Sequence, residues 1–149
     1  MIRRLYIFLI LVAGSTIFSS CCHKKGCIDA DKIETVRFNG FQPSELDTLV
    51  FTSFTKNSAF AIKIDSFFIF DPNNPTTGVK EVNLPVEMDQ QFDWQIKLPG
   101  TNAVYRINEF VQQENVCNRC ITGNDYYRSL ETYKINGVAQ VGNIINVQK

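Results

Sequence analysis

Between residues 92 and 98 apolar and polar side chains alternate without a break. Phe92, Trp94, Ile96 and Leu98 share one face of an extended chain, and Asp93, Gln95 and Lys97 share the other. A period of two is that of a strand with one face on a core and one in water, so Trp94 is assigned to a core. The same reading predicts strands over 32–39, where Val36 and Phe38 alternate with Thr35 and Arg37, and over 47–55, near 79–85, and over 103–111 and 143–148. Residues 61–70 (AIKIDSFFIF) are apolar on both faces toward their end, which predicts a strand central to a sheet. Turn residues punctuate these runs: Gly40 and Pro43, the KNSAF stretch, DPNNPTTG at 71–78, and Pro99-Gly100. Asn136-Gly137, inside LETYKINGVAQ, is the strongest two-residue hairpin signal in the chain. The polar stretch 112–128 (QQENVCNRCITGNDYYR) shows no alternation and predicts an irregular segment. No long segment repeats at 3.6 residues. Seven or eight short strands with turns at this spacing predict an all-β, antiparallel β-sandwich.

The N-terminus follows a different rule. Arg3 and Arg4 precede an apolar run from Leu5 to Val12, and Ala13, Gly14, Ser15, Ser19 and Ser20 follow it. The apolar run is far shorter than the ~20 residues that span a bilayer. A basic start, a short apolar stretch and small residues predict a secretory signal peptide over 1–20, with a short helix in its apolar part.

Phe18-Ser19-Ser20-Cys21 resembles a bacterial lipobox, which ends in the cysteine to be lipidated. The resemblance implies a thioether-linked diacylglycerol on Cys21, cleavage before it, and acylation of the new amine. Several acyl chains, at ~0.8 kcal/mol per buried methylene, anchor a protein stably where one chain is marginal. VRFNGFQPSELDTLVF, DWQIKLPGTNAVYRI and YKINGVAQ, behind such an anchor, look like small cell-envelope lipoproteins of the Bacteroidota. That resemblance implies an immunoglobulin- or transthyretin-like sandwich on the outer membrane and carries no catalytic motif. In that group acidic residues after the lipidated cysteine accompany surface export. Here His23, Lys24 and Lys25 stand there, which favours the periplasmic face over the cell surface.

The expected organisation is therefore a signal peptide (1–20), a lipidated polar tether (21–31) and one sandwich domain (32–149). Without Arg3 and Arg4, 13 basic residues face 15 acidic ones, a net charge of −2. Nothing beyond His23-Lys24-Lys25 forms a basic block, so a nucleic-acid partner, which needs a basic stripe, is not expected.

With Cys21 lipidated, Cys22, Cys27, Cys117 and Cys120 remain, an even number in an oxidising compartment. Disulfides are the first reading, with three connectivities open. A bond from Cys27 to Cys117 or Cys120 closes a loop of about 90 residues, which the chain-entropy model values at ~4–5 kcal/mol before strain. Two other readings compete. Cys117 and Cys120 form a C-x-x-C spacing that can be a redox pair. With Cys22 and Cys27, and His23 as an alternative ligand, they can also bind zinc tetrahedrally.

His23, the sole histidine, lies in the tether, which argues against a hydrolase triad. Glu87, Asp89 and Asp93 cluster before Trp94, and Asp71, Asn73 and Asn74 offer oxygens in one loop. Such groups can bind calcium or perform acid–base work, although solvated carboxylates are commoner. Tyr126 and Tyr127 are candidates for an exposed contact with a protein or glycan, because tyrosine offers both area and a hydroxyl. Asp47-Thr48-Leu49 resembles the O-glycosylation acceptor of the same bacterial group. The function expected is a non-enzymatic binding or structural accessory with no cofactor beyond its covalent lipid. The alternative is a metal or thiol-redox protein using Cys27, Cys117 and Cys120.

Overall fold

A computed structural model describes residues 32–71, 78–120 and 123–149, with the side chains of 118–124 left aside. Among the described residues nine strands follow one another: β1 (Lys32–Phe41), β2 (Thr48–Thr55), β3 (Lys63–Phe70), β4 (Gly78–Asp89), β5 (Phe92–Leu98), β6 (Ala103–Cys120), β7 (Gly123–Ile135), β8 (Val138–Val141) and β9 (Ile145–Gln148). One turn of 3-10 helix, Pro43–Glu45, joins β1 to β2. The chain divides into two compact units. Among the described residues one is 114–127, the outer parts of β6 and β7, and the other is 32–113 with 128–149.

The larger unit is an all-β sandwich. A three-stranded sheet has the order β4-β1-β9 and a six-stranded sheet the order β3-β2-β5-β6-β7-β8. Between them lie Val36, Phe38, Leu49, Phe51, Trp94, Ile96, Leu98, Ile107, Tyr133 and Val147, all buried. Most pairings are antiparallel, but β9 runs parallel to β1, with Val36 opposite Ile145. The final strand thus returns to the sheet of the first instead of extending the last hairpin.

Three irregularities set which side chains enter the core. In β1, Phe38 and Phe41 are both buried although three positions apart, because Gly40 between them takes φ 78° and the register with β4 shifts there. A left-handed residue of this kind favours glycine. In β6, Ile107 and Phe110 are likewise both buried, with Glu109 at φ 52° between them. The β7–β8 turn has Asn136 at φ 50° and Gly137 at φ 81°, both positive as a type I′ hairpin turn requires.

The structure departs from the sequence reading at four places. β3 is an edge strand rather than a central one. Its inner-face Phe67 and Ile69 are half-buried against the core, while its outer-face Phe68 and Phe70 stay in solvent at 70% and 64% exposure. The stretch 112–128, expected to be irregular, is mostly strand, because β6 and β7 continue through it as paired neighbours. The sandwich is not purely antiparallel. Asp93 does not meet water: it is 2% exposed, on the face of β5 opposite Trp94. By contrast β4, an edge strand running past Pro85, follows the rule that proline is tolerated where no ladder bond is lost.

Candidate functional site

The β4–β5 turn is Asp89-Gln90-Gln91. Asp89 Oδ1 accepts the Gln91 N–H at 2.8 Å, and the Trp94 indole N–H donates to the Asp89 carbonyl at 2.8 Å. A carboxylate accepting the amide two residues on is a stable turn device, and the buried indole fixes its position from the core. The neighbouring β2–β3 loop carries three non-glycine residues with positive φ: Asn57, Ala59 and Phe60. Such backbone costs energy unless its surroundings hold it. Here the Asn57 N–H donates to Asp93 Oδ2 at 2.9 Å, Phe60 packs edge-on against Phe54, and the Arg106 guanidinium lies 5.4 Å from the Phe60 ring centroid. Asp93 is therefore a brace for a strained loop.

Braced in this way, the loop brings Lys56 against the turn, its ammonium donating to the Gln90 carbonyl at 3.4 Å. The result is a cleft of ≈ 270 Å³ lined by Lys56, Asp89, Gln90, Gln91, Phe110, Gln112 and Arg128. Four segments supply it, and Phe110 lines it just after the left-handed Glu109 of β6. Its lining includes two cationic side chains, Lys56 and Arg128, and one carboxylate, Asp89. The three glutamines add amide donors and acceptors over an aromatic surface. Groups of these kinds can bind a polar ligand.

Of the residues singled out from sequence, Glu87, Asp89 and Trp94 line one further cleft, and the rest scatter. Glu87 pairs with Lys32 at 3.0 Å, Asp89 holds the turn, and Asp93 points to the opposite face from Trp94. Among the described residues no group of three His, Cys, Asp or Glu is arranged to hold a metal ion. Asp71 pairs with Lys80 at 3.1 Å, while Asn73 and Asn74 lie outside the described residues. Thr48 opens β2, half-buried opposite Phe70. In the 114–127 unit Tyr126 is 56% exposed and Tyr127 half-buried. Cys117 in β6 is held in a disulfide. Cys21, Cys22, His23 and Cys27 lie outside the described residues, as does the Cys120 side chain.

No family model, curated protein or solved structure matches the chain.

Of the cleft residues, sequence reasoning singled out Asp89 alone. Lys56, Gln90, Gln91, Phe110, Gln112 and Arg128 come from segments far apart in the chain, and no spacing links them. The one local signal is Gln90-Gln91 in a tight turn directly before the alternating strand.

Proposed function

We propose that the protein is a lipid-anchored, non-enzymatic accessory of the cell envelope, tethered to the outer membrane and facing the periplasm. The observation that carries this reading is the order Arg3-Arg4, apolar run, Phe18-Ser19-Ser20-Cys21. Behind the tether stands a β-sandwich whose polar cleft offers binding groups: Lys56 and Arg128 for charge, glutamine amides for hydroxyls, and Phe110 as a floor. An acidic glycan uses all three. The cysteines act in covalent bracing, a role supported by the disulfide at Cys117.

Labelling cells with an alkyne fatty acid tests the anchor. Wild-type protein and a Cys22→Ala variant are expected to take up label and sediment with membranes, and Cys21→Ala to do neither. Label retained in Cys21→Ala and lost in Cys22→Ala would move the anchor. Unlabelled wild-type protein would remove it. Paired Lys56→Glu and Arg128→Glu variants, screened against acidic and neutral glycans, address the cleft, with loss of acidic-glycan binding expected.

A further inference from the structure

The two sheets end side by side on edge strands, β3 in one and β4 in the other. Among the described residues β3 pairs with β2 alone. The Asp71 N–H donates to the Asp47 carbonyl at 2.8 Å, which places residue 71 on the β2-facing side of the ladder. Alternation then turns the N–H and C=O of Phe70, Phe68 and Ser66 away from β2. Consistent with this, the Ser66 N–H is met by its neighbour's Asp65 Oδ1 at 2.7 Å.

Edges are commonly blunted by charge, proline or bulges. β4 has Pro85, Glu81 and Glu87. β3 instead presents Phe68 and Phe70 to solvent on its outer face, beside Val50 and Thr48 of β2. On its inner side a cleft of ≈ 200 Å³ opens between the sheets. Phe67 and Trp94 form its floor, and Asp65, Glu87 and Asp89 its rim. Lys32, paired with Glu87 and well exposed, is the cation ion-paired at that rim.

We propose that β3 is a docking edge for an extended segment of a partner protein. The segment adds as a seventh strand to this sheet and inserts a lysine or arginine side chain into the cleft. Unpaired edge amides and carbonyls call for a strand, whose backbone supplies the affinity and whose alternate side chains supply specificity. Side chains on the Phe67 side of an added strand enter the gap between the sheets. There an aliphatic stem covers the Phe67 and Trp94 rings, and its cation meets three carboxylates. Side chains on the other side lie beside Phe68 and Phe70 and are apolar. The segment recognised therefore alternates apolar residues with one basic residue. A second copy of this chain fits less well: pairing symmetrically about Phe68 sets Asp65 against Asp71, and directly opposed like charges repel.

The test uses the purified protein and two blocked heptapeptides, Thr-Val-Arg-Val-Thr-Val-Thr and the same peptide with Glu for Arg. Trp94, the sole tryptophan, reports the cleft by its emission, and hydrogen exchange reports the Phe68 and Phe70 amides. The arginine peptide is expected to shift Trp94 emission saturably and protect both amides, with the glutamate peptide at least about fivefold weaker. Asp65→Asn combined with Glu87→Gln should abolish that preference while backbone protection persists. Phe68→Pro, which removes an outward amide, should abolish addition. If that variant unfolds, exchange in the wild-type protein decides alone. Equal binding of the two peptides, or protection away from β3, overturns the proposal. So does concentration-dependent self-association that protects β3 without peptide, which assigns the edge to a second copy.

Discussion

Tyr133→Phe removes one oxygen from the sandwich and tests how its two sheets are joined. The Tyr133 side chain is 1% exposed on β7 of the six-stranded sheet. Its hydroxyl donates to the Ile144 carbonyl at 2.8 Å and accepts the Asn146 N–H at 2.8 Å, at the start of β9 in the other sheet. Burial pushes its ionisation up from 10.0, so the hydroxyl keeps the proton it donates at neutral pH. In the variant the Ile144 carbonyl retains the Asn146 side-chain amide at 3.2 Å, but the Asn146 N–H loses its acceptor. A buried amide left unpaired costs ~1–3 kcal/mol, so the expected loss is about 2 kcal/mol. For a domain of this size that lowers Tm by roughly 6–12 °C. Urea unfolding followed by Trp94 emission measures the loss, with the slope unchanged if the native state keeps its compactness. Tyr105→Phe is the control, because the Tyr105 side chain is only partly buried, and should cost under about 0.5 kcal/mol. A Tyr133→Phe loss no larger than the control's refutes the latch.

Glu45 accepts from the Lys149 ammonium at 2.7 and 2.9 Å and from the Gln42 N–H at 2.8 Å. The Lys149 bond first, then the Gln42 amide, hold its carboxyl below the usual 4.5. Because the folded value is the lowered one, this contribution is complete above pH 4.5 and disappears as pH falls through the folded value. Acid titration of Glu45→Gln against wild type should therefore show a shallower loss of stability, and parallel curves would discount the contact. Lys80, 9% exposed on the inner face of β4, pairs with the more accessible Asp71. Asp71→Asn strands its charge and should cost ~1–3 kcal/mol, whereas Lys80→Met should be nearly neutral; denaturation that ranks them the other way contradicts this account. Asn136 caps the β7–β8 turn, its Oδ1 accepting the Arg106 N–H at 2.8 Å. Asn136→Ala loses that bond and a favourable left-handed residue, and should cost about 1–2 kcal/mol in the same urea assay.

Where one strand face meets the core and the other is polar, local pattern suffices. β5 is legible to its ends, and Asn136-Gly137 marks the β7–β8 hairpin, because both signals lie within a few residues. Position within a sheet is not local. β3 is apolar on both faces like a central strand, yet chain topology leaves it at an edge. The stretch 112–128 lacks alternation, yet β6 and β7 run through it as strands, so period alone does not reveal them. Bulges at Gly40 and Glu109 shift the parity of burial, so that Phe41 and Phe110 point inward against a simple period of two. The polar cleft is illegible for the same reason as the edges, since four segments meet there only after folding. Asp93 looked like a solvated member of an alternating strand, and its partner, the Asn57 amide, becomes visible only when the loop is in place.

The most direct test of the account is the intact mass of native protein, alkylated with and without prior reduction. A mass equal to residues 21–149 plus diacylglycerol and acyl groups, with no label before reduction and four after, is the predicted result. A protein that retains residues 1–20, or whose Cys21 is unlipidated and takes label as a free thiol, would contradict it.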